Sequence, residues 1–302
     1  MALTLRQLDI FEKVADCEHV TQASIKLMLS QSAVSMAIAE LERFADAPLF
    51  DRQGRRLILN DRGRQLLPEA RDVLMRVRKI EQFLNESVGE PVGILNVGAS
   101  TTIGNYLLPA IVGDFSRRYQ RAKALLHVGN AQQIERSLEN GELDLGLIEG
   151  PPHMRSLNAV PWKLDELVVI VGKEHEWAHD RKASVKMLKN AAWIIREKGS
   201  GTREIFEAAM DKKGISFTIA MELGHTEAIK KAAEAGLGVG CLSRIAVQRE
   251  LDNGWLVEID SPLDLRRTLI ILTRNNEHMT TLLKAFLTLL GITKDGSKKG
   301  KQ

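Results

Sequence analysis

Two sets of residues in this chain have the types and spacing for binding chemistry. The first is Gln31, Ser32, Ser35 and Met36, on one side of a run whose other side, Val34, Ala37, Ile38, Leu41 and Ala45, is apolar at steps of three and four. Short amide and hydroxyl side chains near a helix start can hydrogen-bond base edges or phosphate oxygens in a major groove. The second set is a series of turns, each just after an apolar run: Ser100-Thr101-Thr102, Gly129-Asn130-Ala131, Glu149-Gly150, Arg196, and Gly199-Ser200-Gly201-Thr202. Hydroxyls and helix-start N–H groups gathered at strand ends favour a small anion. His225, in Gly224-His225-Thr226, adds a charge-assisted bond when protonated. Glu149 in the same cleft repels an anion unless it is neutralised or turned away.

Each set needs elements to hold it. Thr21 as an N-cap starts one short helix that buries Ala23, Ile25 and Leu27, and Ser30 caps the next by accepting an orphan backbone N–H. The short gap between them reads as a helix-turn-helix. Leu5, Leu8, Phe11 and Val14 mark a supporting helix, and Leu49-Phe50 and Leu57-Ile58-Leu59 flank Gly54 as a hairpin, giving a winged helix-turn-helix. Arg52, Arg55 and Arg56 then sit on the wing, where guanidinium groups reach phosphates or a narrow minor groove. From Asn60 or Asp61 a long helix runs to near Ser87. Along it Leu66, Ala70, Val73, Val77, Ile80 and Leu84 form a heptad seam suited to a second copy, and Pro68 should kink the helix or loosen its first turns.

Helical patterning stops at Gly89, Pro91 and Gly93. Beyond it, apolar runs at 94–97, 125–128, 145–148, 167–171, 193–195, 239–242 and 269–272 alternate with helical segments at 132–140, 202–210 and 227–235, the pattern of an open α/β sheet. Ligands in such sheets lie at the carboxyl ends of the strands, where the second set of residues falls.

Bulk charge does not argue for nucleic acid. Residues 1–87 hold thirteen basic and thirteen acidic side chains, and the net +3 of the chain comes from the tail, where Lys294, Lys298, Lys299 and Lys301 outweigh Asp295. Catalytic signatures are missing. Lys198 and Thr202 stand where a nucleophile elbow needs glycine, Gly236-Leu237-Gly238-Val239-Gly240 lacks the strand-then-helix context of a dinucleotide fingerprint, and the seven histidines form no HExxH. Cys17 and Cys241 lie far apart, which supports neither a disulfide framework nor a metal site. We therefore expect no enzyme, no cofactor and no metal. A charged N-terminus without a signal-peptide core, and no apolar run long enough to span a bilayer, lead us to expect a cytoplasmic protein with no membrane partner.

The N-terminal segment resembles the DNA-binding domain of LysR-type transcriptional regulators, through Ala23-Ser24, Ser30-Gln31-Ser32-Ala33-Val34-Ser35, Leu49-Phe50-Asp51-Arg52 and Asp61-Arg62-Gly63. The resemblance implies that Gln31, Ser32 and Ser35 touch double-stranded DNA, with Arg52 on the wing. Many members carry proline at Ser32 and a polar or basic residue at Met36. It also implies an effector domain of the type 2 periplasmic-binding-protein kind, two lobes crossed twice by the chain. On that model residues 1–60 are the winged helix-turn-helix and 61–88 the linker and dimerisation helix. Lobe one is 93–161 plus 268–292, lobe two is 162–267, the hinges lie near Pro161 and Arg267, and 293–302 form a flexible tail. STTIGNYLLPAIV, DELVVIVG, REKGSGTREIFE and MELGHTEAIKKAAEAGLGVGCLSR resemble the YeiE-like branch of the family, related to the cysteine-biosynthesis regulators. That branch implies a small anionic effector, an oxyanion such as sulfite or sulfate, or a carboxylate. A homodimer or homotetramer is expected, with RNA polymerase as a further partner. The competing reading is a two-lobed solute-binding or transferase-type protein whose N-terminal segment serves only oligomerisation; it predicts ligand affinity without sequence preference among duplexes.

Overall fold

The computed structural model describes residues 3–54, 56–85, 90–275 and 279–292. Arg55, the side chain of Leu84, the end of the linker helix and the tail at 293–302 lie outside the described residues. The chain divides into two compact units, the first made of residues up to Asn85 together with Asn140–Glu142.

In the N-terminal unit α1 (Leu5–Cys17) starts with a capping box, in which the Thr4 hydroxyl accepts the Gln7 N–H and the Gln7 side chain accepts the Thr4 N–H. Leu8, Phe11 and Val14 are buried as expected, whereas Leu5 is exposed. The next helix, α2 (Val20–Leu27), is capped at His19 rather than Thr21, and its inner face is Ala23 and Ser24. Ile25, expected in the core, is 72% exposed, because α2 turns Ala23 and Ser24 inward, with Val20 and Leu27 at the edge of the core, and Ile25 falls on the other side of the helix. The third helix, α3 (Gln31–Ala45), starts as read: Ser30 Oγ accepts the Ala33 N–H at 3.1 Å, and Val34, Ile38 and Leu41 are buried. The wing is an antiparallel hairpin of β1 (Phe50–Gln53) and β2 (Arg56–Leu59), with Gly54 in the left-handed region at φ +63°. Phe50 anchors it edge-on against Phe11.

The long helix α4 (Asp61–Asn85) is capped by Asn60 Oδ1, which accepts the Gly63 N–H at 2.9 Å, and it continues through Pro68. Gly63 is required by a close approach, since a Cβ there would lie 2.2 Å from the Leu49 carbonyl oxygen. The expected heptad seam divides along its length. Leu66 and Ala70 pack into the core of their own unit, while Val73 and Ile80 are exposed. The later half therefore keeps the free apolar surface that a second copy would cover.

The C-terminal unit is a two-lobed α/β domain. Its first lobe contains β3 (Gly93–Ser100), α5 (Thr101–Tyr106), α6 (Leu108–Arg118), β4 (Ala122–Gly129), α7 (Ala131–Glu139) and β5 (Leu145–Glu149). The long β6 (Leu157–Gly172) leads to the second lobe: α8 (Val185–Asn190), β7 (Ala192–Arg196), α9 (Gly201–Lys212), β8 (Thr218–Leu223), α10 (Thr226–Glu234), β9 (Val239–Ser243), α11 (Arg244–Asp252) and β10 (Leu256–Ile259). Strand β11 (Arg266–Arg274) returns, and α12 (Thr281–Leu289) closes the first lobe.

The strand order is β4-β3-β5-β11-β6-β9-β7-β8, with β10 also on β6. Strands β3, β4 and β5 run parallel in one lobe and β7, β8 and β9 in the other, so each lobe ends in a row of carboxyl termini. Strand β6 does not break at the expected hinge, Pro161. The proline sits in the strand beside a register shift opposite Leu269/Ile270, with Trp162 buried and its Nε1 donating to the Leu290 carbonyl. Partners of β6 change from β11 to β9 between Glu166 and Leu167, so the first crossing falls there. At that level Arg267 stands opposite Asp165.

Candidate nucleic-acid interface and effector cleft

Gln31, Ser32, Ser35 and Met36 are all exposed on α3, opposite its buried stripe. A groove of about 700 Å³ separates this helix from the wing, and Gln31, Ser35, Ala39, Arg52, Gly54 and Arg56 line it. Helix and wing thus present amide, hydroxyl and guanidinium groups to one concave face. Ser32 and Met36 lie on α3 outside that lining; Ser32 Oγ is 2.9 Å from Ser30 Oγ, and Met36 is 63% exposed. Glu42, which the sequence reading passed over, fixes the geometry: its Oε1 accepts the backbone N–H groups of Leu49 and Phe50 at 2.8 and 3.3 Å and ties the end of α3 to the wing.

The second site lies where the carboxyl ends of both sets of parallel strands meet. Arg196, at the end of β7, is 2% exposed; it forks onto Glu197 through Nε and Nη2, and Nη2 also donates to Thr101 Oγ1 across the lobes at 3.1 Å. Arg267 is the second buried cation. It donates to Asp165 at 2.7 Å, to Thr202 Oγ1 at 3.0 Å and to Thr102 Oγ1 at 3.5 Å, joining α5 and α9 at the crossing strands. Glu149 is neutralised: Oε1 accepts the Thr102 N–H at 2.9 Å, and Oε2 is 3.9 Å from Arg267 Nη1. Asn130 caps α7 by exchanging hydrogen bonds with Gln133. Gly201 opens α9 hard against the Glu149 carbonyl.

Several of the expected ligand groups are thus consumed in holding the lobes together. Four buried polar atoms here have no partner: Ser100 Oγ, Ser200 Oγ, Thr226 Oγ1 and Arg196 Nη1. Unpaired buried polar atoms cost about 1–3 kcal/mol each, so four at the strand ends of one domain point to a ligand that satisfies them. Ser100, Ser200 and Arg196 were legible as hydroxyls and a cation after apolar runs. Thr226 was missed in favour of its neighbour His225, which is exposed at the N-cap of α10 and makes no cap bond through its ring. The pairing of Leu223 with Arg196 brings the start of α10 to the end of β7.

At the rim, a cleft of about 430 Å³ is lined by Gln132, Arg136, Lys198, Ser200, Arg203 and Glu207 together with a clasp between lobes. His153 Nδ1 lies 3.3 Å from Glu135 on α7, and Nε2 lies 3.0 Å from Glu204 on α9. Glu135 also accepts the backbone N–H groups of His153 and Met154. Partial burial pushes the ring pKa down, but the two carboxylates outweigh it and the net shift is upward from 6.5. A histidine with a raised folded pKa stabilises most fully below its unfolded pKa and loses that contribution as pH rises through the folded one. His153→Gln should therefore lower the unfolding temperature of the full chain on the acid side of 6.5, with the gap fading toward alkaline pH. Thermal melts across pH check this; a gap that widens with alkalinity contradicts it.

Comparison with known proteins agrees with this architecture. Residues 5–64 match the model for bacterial regulatory helix-turn-helix proteins of the lysR family, and residues 89–292 match the LysR substrate binding domain. The chain is 41% identical over 288 residues to the HTH-type transcriptional regulator YeiE of Escherichia coli K12, covering 95% of this chain and 97% of that protein. The regulatory domain of Synechocystis CcmR, solved in complex with 2-PG, is 30% identical at a TM-score of 0.62, covering 67% of this chain and 98% of its own. Full-length CbnR, solved with its target DNA, has a TM-score of 0.70 at 17% identity over 98% of this chain and 100% of its own, a likeness of fold. The families and relatives matched are regulators rather than enzymes, in keeping with the lack of catalytic signatures. With both halves accounted for by the same family, the chain belongs to the LysR-type transcriptional regulators, with an N-terminal helix-turn-helix and a C-terminal effector-binding domain.

Proposed function

We propose that this regulator reads double-stranded operator DNA as a homodimer or homotetramer and responds to a small anion held between the lobes of its effector domain. The observation that carries the effector reading is the set of four buried, unpartnered polar atoms on Ser100, Arg196, Ser200 and Thr226. One is a guanidinium N–H and three are hydroxyls, a donor set suited to an oxyanion such as sulfite or sulfate, or to a carboxylate. Thr101, Thr102, Asn130, Glu149, Gly201 and Thr202 surround the anion and close the lobes on it; His225 stands at the rim. The 2-PG complex of CcmR supports a small ligand in this domain. On the DNA side, Gln31, Ser32, Ser35 and Met36 face the major groove and Arg52 and Arg56 the backbone, which the CbnR–DNA complex supports by fold. Among the described residues no helix is long and apolar enough to cross a membrane, and we place the regulator in the cytoplasm, with RNA polymerase as a further partner.

A thermal-shift screen of small oxyanions and carboxylates on the full chain tests the effector reading, since a ligand bound at about 100 times its Kd adds about 2.7 kcal/mol. No shift with any of them rejects it. Mobility shifts at controlled salt on the DNA upstream of its own gene test the other half. Gln31→Ala should cost about 1–3 kcal/mol and relax preference at one base pair, whereas Arg52→Ala should weaken all duplexes alike and lower the salt slope by about one. Equal losses on operator and random DNA for Gln31→Ala would remove this helix from base readout.

A further inference from the structure

Helices α5 and α10 both begin at the cleft, the first right after Ser100 and the second with Thr226. They belong to different lobes, and one side chain joins them. Tyr106, the last residue of α5, donates its hydroxyl hydrogen to Glu227 Oε1 at 2.6 Å. Lys230, one turn along α10 and 4% exposed, donates to the same tyrosine oxygen at 3.4 Å and lies 5.7 Å from the ring centre. Its ammonium is 2.6 Å from Glu227 and 3.0 Å from Glu250, and it donates to the Ala246 carbonyl at 3.1 Å.

The division of labour follows from burial. Glu250 and the Ala246 carbonyl, both on α11, fix the ammonium within its own lobe. Glu227 is 62% exposed and would turn to solvent without a second partner; the tyrosine hydroxyl supplies one from the opposite lobe. Thr226, directly before it, is buried with an unpartnered hydroxyl. Burial and the Glu227 carboxylate push the Tyr106 hydroxyl up to about 12, so it stays a donor.

We propose that Tyr106 is a positioning residue for effector capture: its hydroxyl, held by Glu227 and Lys230, fixes the first turn of α10 and aims the Thr226 hydroxyl into the cleft. The inference rests on the reading that a small anion binds between the lobes. Preorganised groups bind more tightly because the ligand need not order them.

The test uses full-length Tyr106→Phe, Thr226→Val and the double variant, titrated with sulfate and acetate by thermal shift. Amide exchange across α9 and α10 is measured without added anion. Phenylalanine keeps the ring over Lys230 and removes only the hydroxyl. Tyr106→Phe should weaken the stabilising anion about tenfold, the worth of a hydrogen bond to a charged group. The double variant should bind about as weakly as Thr226→Val, because the tyrosine acts through that threonine. Exchange at Ile229 and Lys230 should rise about tenfold with α9 unchanged. Unchanged anion affinity, independent multiplied losses, or exchange unaltered or raised equally in α9 overturns the proposal. If neither anion shifts the wild type, the titration is repeated with the anion that the screen identifies; if the screen identifies none, the anion reading fails, and the exchange measurement decides the positioning role.

Discussion

Replacing Arg267 with methionine is expected to destabilise the effector domain by about 3–5 kcal/mol, the cost of removing one partner of a buried ion pair. The side chain is wholly buried, and its guanidinium faces Asp165 and Glu149, which are 1% and 2% exposed. Methionine fills much of the volume but leaves two carboxylates in the interior without a cation. Ser243 Oγ donates to Asp165 at 2.9 Å and the Thr102 N–H to Glu149, and neither neutralises the charge. The loss also frees Thr102 and Thr202, so α5 and α9 lose their common anchor at the crossing strands. Arg267→Lys should recover only part of the stability, since an ammonium cannot span Asp165 and both threonines as a planar fork does. Asp165→Asn placed on Arg267→Met should restore some of it by removing one stranded charge. Urea unfolding of the full chain measures all three; a loss under about 1 kcal/mol for Arg267→Met would mean the pair is not the anchor described.

What could be read from the sequence was what local pattern determines. The Ser30 cap and the stripe Val34, Ile38, Leu41 fix α3 through neighbours three and four residues away, and both are found. All seven expected strands exist; most are buried, and a strand buried on both faces is a continuous apolar run whether its partners run parallel, as for β3 and β5, or antiparallel, as for β6 and β11. Strand β8 escaped notice because Thr218–Leu223 lies at the sheet edge, with an exposed pattern. The part of β6 before Leu167 is not legible because Pro161 reads as a break, although beside a register shift its missing N–H does little harm. Ile25 is exposed because α2 packs through Ala23 and Ser24 with Val20 and Leu27 beside them, and hydrophobicity does not say which apolar face of a short helix turns inward. In the cleft, Ser100, Arg196 and Ser200 were visible as residues after strands. Arg267 and Tyr106 were not, because their partners lie 102 and 121 residues away and only the two chain crossings bring them together.

Gly201→Ala is expected to leave the fold intact and cost effector binding about a hundredfold, the order of loss from a misplacement of about 1 Å. Its φ is not in the left-handed region, and within α9 alanine is the better helix former by about 1 kcal/mol, so no local strain arises. The conflict is with the other lobe. A Cβ at this position would lie 2.0 Å from the Glu149 carbonyl oxygen and 2.8 Å from its carbon, and both atoms are backbone at the end of β5. No side-chain rotation relieves that contact, so α9 must back away from the first lobe. Backing away stretches the Arg267–Thr202 bond and shifts the unpartnered Ser200 hydroxyl, at the start of α9, away from the first lobe. A ligand shifts an equilibrium only by its differential affinity for the two states, so a variant that cannot close loses the response along with the affinity. Gly113→Ala is the matched control, since a Cβ there meets only the Arg117 side chain at 3.5 Å. In thermal shifts with the anion that stabilises the wild type, Gly113→Ala should respond normally. Gly201→Ala should melt cooperatively, below the wild-type temperature, yet barely respond. A full response from Gly201→Ala would mean that the effector binds with the lobes apart, and that the close approach of α9 to Glu149 is a packing contact with no part in signalling.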